Sequence, residues 1–147
     1  MTSIRFQAAV IDASVGVKLF IQEEDSQIVD ELFAQLVSDP PASFYVPDLF
    51  YIECANVLWK YAHQFNYSSE HAQRDLTALL ALALYTIPSS TILNEAMRLA
   101  LQVNISVYDA CYAALAHKLD LPLITADQKL VQKLQLSEIE AVLISCA

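Results

Sequence analysis

The stretch AAVIDASVGVKLF, residues 8–20, decides how the chain folds. Its first four residues are apolar and include the β-branched Val10 and Ile11, the composition of a short buried strand. Asp12 stops that run, and the spacing beyond it predicts a helix over residues 15–21, with Ser14 placed to cap it. A carboxylate beside a buried strand end costs on the order of several kcal/mol unless something neutralises it. The lone glycine of the chain, Gly16, lies within the helix start, where its lack of a side chain permits close packing.

Working outward, the same alternation of short strands and longer helices continues to the end of the chain. Helices are predicted over residues 26–37, 48–65, 69–82, 90–103 and 110–119, with a small one opening at Asp127. Strands are predicted at residues 44–46, 85–87, 122–125 and 141–144. Strands separated by helices imply a parallel sheet covered on both faces. Right-handed connections then gather the carboxyl ends of the strands on one edge, where open α/β sheets place their ligands. No repeat, low-complexity tract or linker interrupts the pattern, so residues 1–147 read as a single domain.

Composition narrows the class. Of the 147 residues, 56% are hydrophobic and 17% charged, which excludes a disordered chain. No apolar run approaches the roughly 20 residues of a membrane span. The first residues lack the apolar core of a signal peptide, so no membrane partner is expected and a cytoplasmic location is. The odd, scattered set Cys54, Cys111 and Cys146 fits reduced thiols. A net charge of −9 argues against a nucleic-acid clamp built on a broad basic face.

Four acids stand out by position. Asp127 follows an apolar run by two residues, close to the relation Asp12 has to its own strand. Asp109 shares a helix face with Tyr112, Ala113 and Ala116. Glu53, Asn56 and Lys60 make one polar stripe on a helix that is otherwise apolar over most of its circumference. Each has a plainer reading: Asp109 and Asp127 as helix caps, and the stripe as a face turned to water. As a set, carboxylates crowded on one sheet edge would repel unless protonated or joined by a cation. Oxygen-only donors with no nearby Cys/His set select Mg²⁺ or Mn²⁺, ions that polarise a phosphodiester and generate hydroxide from bound water. His63, His71 and His117 show no zinc spacing and read as surface helix residues. No phosphate-binding glycine loop or nucleophile elbow is present, and one glycine could build neither.

The segments VIDASVGVKLF, VPDLFYIECANVLWKY and SVYDACYAALAHKLDLPLITADQKL, with the closing VLI, resemble PIN-domain ribonucleases, in particular VapC-like toxins of bacterial toxin–antitoxin pairs. The resemblance runs from about Ala8 to Ile144. It implies a three-layer α/β/α sandwich around a central parallel sheet of four or five strands. It also implies a metal-dependent endoribonuclease in which Asp12, Glu53, Asp109 and Asp127 hold Mg²⁺ or Mn²⁺ and activate water. Ser14, Asn56 and Thr125 match the accompanying polar positions. The implied partners are an RNA substrate, a second copy of the chain in a homodimer, and a small cognate antitoxin. Lys18, Lys60 and Lys129 lie near these segments and are the expected guides for RNA. The acidity of the chain keeps an alternative open, a catalytically weak or inactive module of the same fold that binds a protein through apolar residues such as Phe20, Phe33, Phe50 or Tyr51.

Overall fold

The computed structural model describes residues 5–22 and 24–144. Cys146 and the first four residues, on which part of the signal-peptide reading rests, lie outside them. The chain runs β1 (Ala8–Ile11), α1 (Ala13–Gly16), α2 (Ser26–Ala34), β2 (Ser43–Pro47), α3 (Leu49–Gln64) and α4 (Ser69–Leu80). It continues through β3 (Tyr85–Ile87), α5 (Leu93–Val103), α6 (Val107–Leu119), β4 (Leu123–Thr125), α7 (Gln128–Leu134) and β5 (Ala141–Leu143).

All five strands are parallel, in the order β3-β2-β1-β4-β5. The chain therefore winds outward from β1 through β2 to β3, then returns to the other side of β1 and winds outward again. With right-handed crossovers, α1–α4 cover one face and α5–α7 the other, giving the three-layer α/β/α sandwich. Reversal of strand order between β1 and β4 opens a crevice beyond their carboxyl ends. Pairing of Ile11 with Ile124 brings the next residues, Asp12 and Thr125, level with each other at that crevice.

The core lies between sheet and helices, with Ile11, Phe44, Phe50, Tyr112, Leu115 and Ile124 fully buried. Helix α6 is buried from Ala110 to Ala116, mostly by alanines, so it packs close to the strands beneath it. Gly16 sits in helical backbone and meets the ring of Phe50 on α3, where an added Cβ would stand 2.5 Å from Cζ. The predicted close packing is thus a contact between the first helical turn and α3.

Several local expectations change. The helix over residues 15–21 is one α-turn from Ala13 followed by the 3-10 turn Val17–Leu19. Ser26 ends it by donating its hydroxyl to the carbonyls of Lys18 and Ile21. Ser14 does not cap that helix; the N-cap position is Asp12, without a side-chain capping bond. Ser106 rather than Asp109 caps α6, accepting from the Asp109 amide at 3.1 Å. Neither Ser89 nor Ser90 caps α5, because Ser89–Thr91 form a 3-10 turn and Ser89 bonds to Asp48 instead. Asp127 and Ser68 do cap their helices. Phe33 and Phe50 are core residues, and Phe20 and Tyr51 are half-buried. Among the described residues no single helix is long and apolar enough to cross a membrane.

A candidate carboxylate active site

Four polar or charged residues are buried among the described residues: Asp12, Ser26, Asp75 and Thr125. Two have structural duties, Ser26 as described and Asp75 as the acceptor of the Tyr67 hydroxyl beside His71. The other two, Asp12 and Thr125, lie together at the crevice. The Thr125 hydroxyl donates to Asp12 Oδ2 at 2.7 Å and accepts from the Asp127 amide at 3.1 Å. Ser14 does the parallel job, donating to the same oxygen at 2.7 Å and accepting from the Ala126 amide at 3.0 Å. Two backbone amides of the β4–α7 loop are thereby linked through two hydroxyls to one carboxylate oxygen.

Burial is the main reason the Asp12 carboxyl is held above its ordinary pKa; the Thr125 and Ser14 bonds pull it back, and the charge of Asp127 adds to the rise. Glu53 projects from α3, one turn beyond Phe50, and its Oε1 accepts the Tyr112 hydroxyl of α6 at 2.6 Å. It too is raised, first by burial and then by the charges of Asp12 and Asp109, against the favourable Tyr112 bond. Asp109, in the first turn of α6, is pushed up to about 6 by burial and by Asp12 and Asp127, with Ser106 and Lys133 opposing. Asp12, Glu53, Asp109 and Asp127 thus form one electrostatically coupled group drawn from both helical layers. They do not yet converge: among the described residues no three His, Cys, Asp or Glu side chains stand close enough together to hold an ion.

The remaining expected positions fall at varying distance from this centre. Asn56 and Lys60 are exposed, one and two turns along α3 from Glu53. Lys129 is exposed on α7 beside Asp127. Lys18 bonds Asp25 at 3.1 Å. The three histidines are exposed. Cys54 and Cys111 are free and buried, and burial raises both thiols, which keeps them protonated. Two participants escape a reading of sequence alone. One is the Tyr112 hydroxyl, whose partner lies on another helix. The other is Lys133, whose charge reaches Asp109 from α7.

The donor set fits a hard divalent cation. It offers carboxylate oxygens only, and burial and mutual repulsion hold three of the four above their ordinary range, a strain that a cation would relieve. Oriented carboxylates at the switch point of an α/β sheet are suited to chemistry on a polyanion once such an ion offsets their charge.

Comparison with known proteins agrees with this fold. The PIN domain family model matches residues 9–134. Ribonuclease VapC3 of Pyrobaculum aerophilum is 33% identical over 126 residues, covering 84% of this chain and 92% of that protein. Among solved structures, PAE2754 from Pyrobaculum aerophilum superposes with a TM-score of 0.67 at 24% identity, over 91% of this chain and 82% of the other. A toxin–antitoxin complex from Klebsiella pneumoniae gives a TM-score of 0.63 at 19% identity, covering 93% and 98% of the two chains. VapBC2 from Rickettsia felis, bound to a DNA fragment from its promoter, gives 0.65 at 14%, covering 94% and 99%. These three share the fold. On the family model and the sequence relative, the chain belongs to the PIN-domain family.

Proposed function

We propose that the protein is a Mg²⁺- or Mn²⁺-dependent endoribonuclease, the toxin of a toxin–antitoxin pair. The observation that carries this reading is the coupling of Asp12, Glu53, Asp109 and Asp127 over the β1/β4 crevice in a chain of this family. The ribonuclease activity in the name of its 33% identical relative supports RNA as substrate. Asp12, Asp109 and Asp127 hold the metal, and Glu53 holds it or orients water. When bound, the cation supplies a nucleophilic hydroxide and polarises the phosphodiester. Ser14 and Thr125 fix the Asp12 carboxylate, Tyr112 fixes Glu53, and Asn56 offers an amide to the substrate at the rim.

Protein partners are supported by apolar surface that the single chain leaves open. On α5, Leu93, Met97 and Leu101 recur at i, i+4 and i+8 and are 45%, 49% and 78% exposed. A second copy of the chain and a small antitoxin are the partners we assign, in the cytoplasm. The second reading, a protein-binding module without turnover, is favoured by the incomplete convergence of the acids.

The test is cleavage of defined RNAs by wild-type protein and Asp12→Asn, with Mn²⁺ and with EDTA. Cleavage is expected only from wild type with metal, while circular dichroism shows both proteins folded. Equal cleavage by the two would refute the assignment of the site.

A further inference from the structure

An RNA strand on a chain of net charge −9 needs local cations, and the eight Lys and Arg residues differ in what they can supply. Arg5 precedes β1, at the edge of the sheet remote from the crevice, and Lys118 lies more than two turns along α6 from Asp109. Lys18 and Arg98 are ion-paired with Asp25 and Glu95, and Arg74 lies on α4. Lys60 is two turns beyond Glu53. Lys129 and Lys133 remain, both exposed on α7, the helix capped by Asp127 itself.

At i and i+4 the two lysines are exposed neighbours on one side of α7, about 100° around the helix from the buried pair Leu130 and Leu134 that anchors it. Lys133 Nζ donates to the Asn104 carbonyl at 2.6 Å, in the loop that leads to Ser106 and the first turn of α6. An ammonium has three donors, so two remain for another acceptor. The contact ties α7 to the loop that carries Ser106, the residue whose hydroxyl accepts from the Asp109 amide. The ridge therefore starts beside one acid of the site and ends against the loop that leads into the helix carrying another.

We propose that Lys129 and Lys133 form a phosphate-binding ridge on the exposed side of α7. It holds successive phosphates of the RNA strand and leads that strand past Asp127 into the crevice. The inference rests on the nuclease reading and deepens it by naming where the backbone of the substrate runs.

The test is the salt dependence of kcat/KM for Mn²⁺-dependent cleavage of a short single-stranded RNA by wild type, Lys129→Gln, Lys133→Gln and the double variant. Lys118→Gln is the surface control, and melting curves confirm folding. Each ridge lysine that meets a phosphate contributes about 0.7 to the slope of log kcat/KM against log salt. Each single variant should lower the slope by about that amount and the double by about twice it, with the loss carried by KM. Lys133→Arg should keep the wild-type slope. Lys129→Gln separates phosphate binding from loss of the Asn104 contact, which only Lys133 makes. Wild-type slopes in the lysine variants, or an equal drop in Lys118→Gln, would overturn the ridge while leaving the nuclease reading intact. Absence of metal-dependent cleavage in wild type would remove both.

Discussion

Burial and crowding of the site carboxylates should make the metal-free protein less stable at neutral pH than in mild acid. Asp109 is the group for which the effect can be sized, with an ordinary value of 3.8 and a folded value of about 6. Between those values the folded state keeps a proton that the unfolded chain has released. Stability therefore falls as pH rises through this window, and the penalty is complete above about pH 6. At 1.36 kcal/mol per pH unit the interval corresponds to about 3 kcal/mol, which screening of a half-exposed carboxylate cuts to about 1–2 kcal/mol. Asp12 and Glu53, raised by the same causes, add in the same direction. Only about the last pH unit of that window lies above pH 5, so after screening the Asp109 contribution between about pH 5 and pH 7.5 is about 0.5–1 kcal/mol and lowers Tm by about 1–4 °C in EDTA. Millimolar Mn²⁺ should reverse the order, because an ion that binds only the folded, ionised site stabilises it by mass action. Thermal melts by circular dichroism at constant ionic strength, with EDTA and with Mn²⁺, measure both effects. Asp109→Asn should flatten the metal-free pH dependence. A metal-free protein as stable at about pH 7.5 as at pH 5, or an Asp109→Asn variant with unchanged pH dependence, would refute the reasoning.

Three further outcomes follow from individual contacts. Gly16→Ala places a methyl 2.5 Å from Phe50 Cζ and 2.8 Å from Cε1, so overpacking of about 1–3 kcal/mol outweighs a helix-propensity gain of up to about 1 kcal/mol. Its Tm should fall, and a compensating Phe50→Leu should recover part of the loss. Thr125→Val strips the buried Asp12 of a donor and the Asp127 amide of its acceptor; urea unfolding should show a loss of about 1–3 kcal/mol that Thr125→Ser avoids. Tyr112→Phe should cost about 1 kcal/mol or less in stability yet lower kcat, and in a double-mutant cycle with Glu53→Gln the two losses in kcat should not add.

Much of the architecture is legible in local pattern. The strand at residues 8–11 and the helix after Asp48 declare themselves by periodicity and by breakers, as do the two acids that follow β1 and β4. The polar stripe on α3 is visible as well, and it divides: Glu53 turns to the site while Asn56 and Lys60 stay in water. What periodicity cannot supply is the identity of partners distant in sequence. Ser14 looks like a cap because capping is a local relation, whereas its oxygen serves an amide across the β1/β4 crevice. Tyr112 reads as an inward apolar residue because a tyrosine carries one polar atom on a large ring; only the folded structure, where its hydroxyl meets Glu53 of the other helical layer, shows where that atom goes. Lys133 is inconspicuous for the same reason, since its proximity to Asp109 depends on how α7 returns beside the α5–α6 loop.

The two hydroxyls beside Asp12 have a directional property. In each, the proton points to the carboxylate and the lone pair receives a backbone N–H, so the dipoles run head to tail from Ala126 and Asp127 into one oxygen. Such chains polarise cooperatively, and each bond strengthens as the charge at its end grows. The charge on Asp12 therefore strengthens the two bonds that hold the backbone of the β4–α7 loop. Whatever neutralises that carboxylate weakens the bonds on the loop that carries Asp127, so the charge at one end of the site sets how firmly the other end is held.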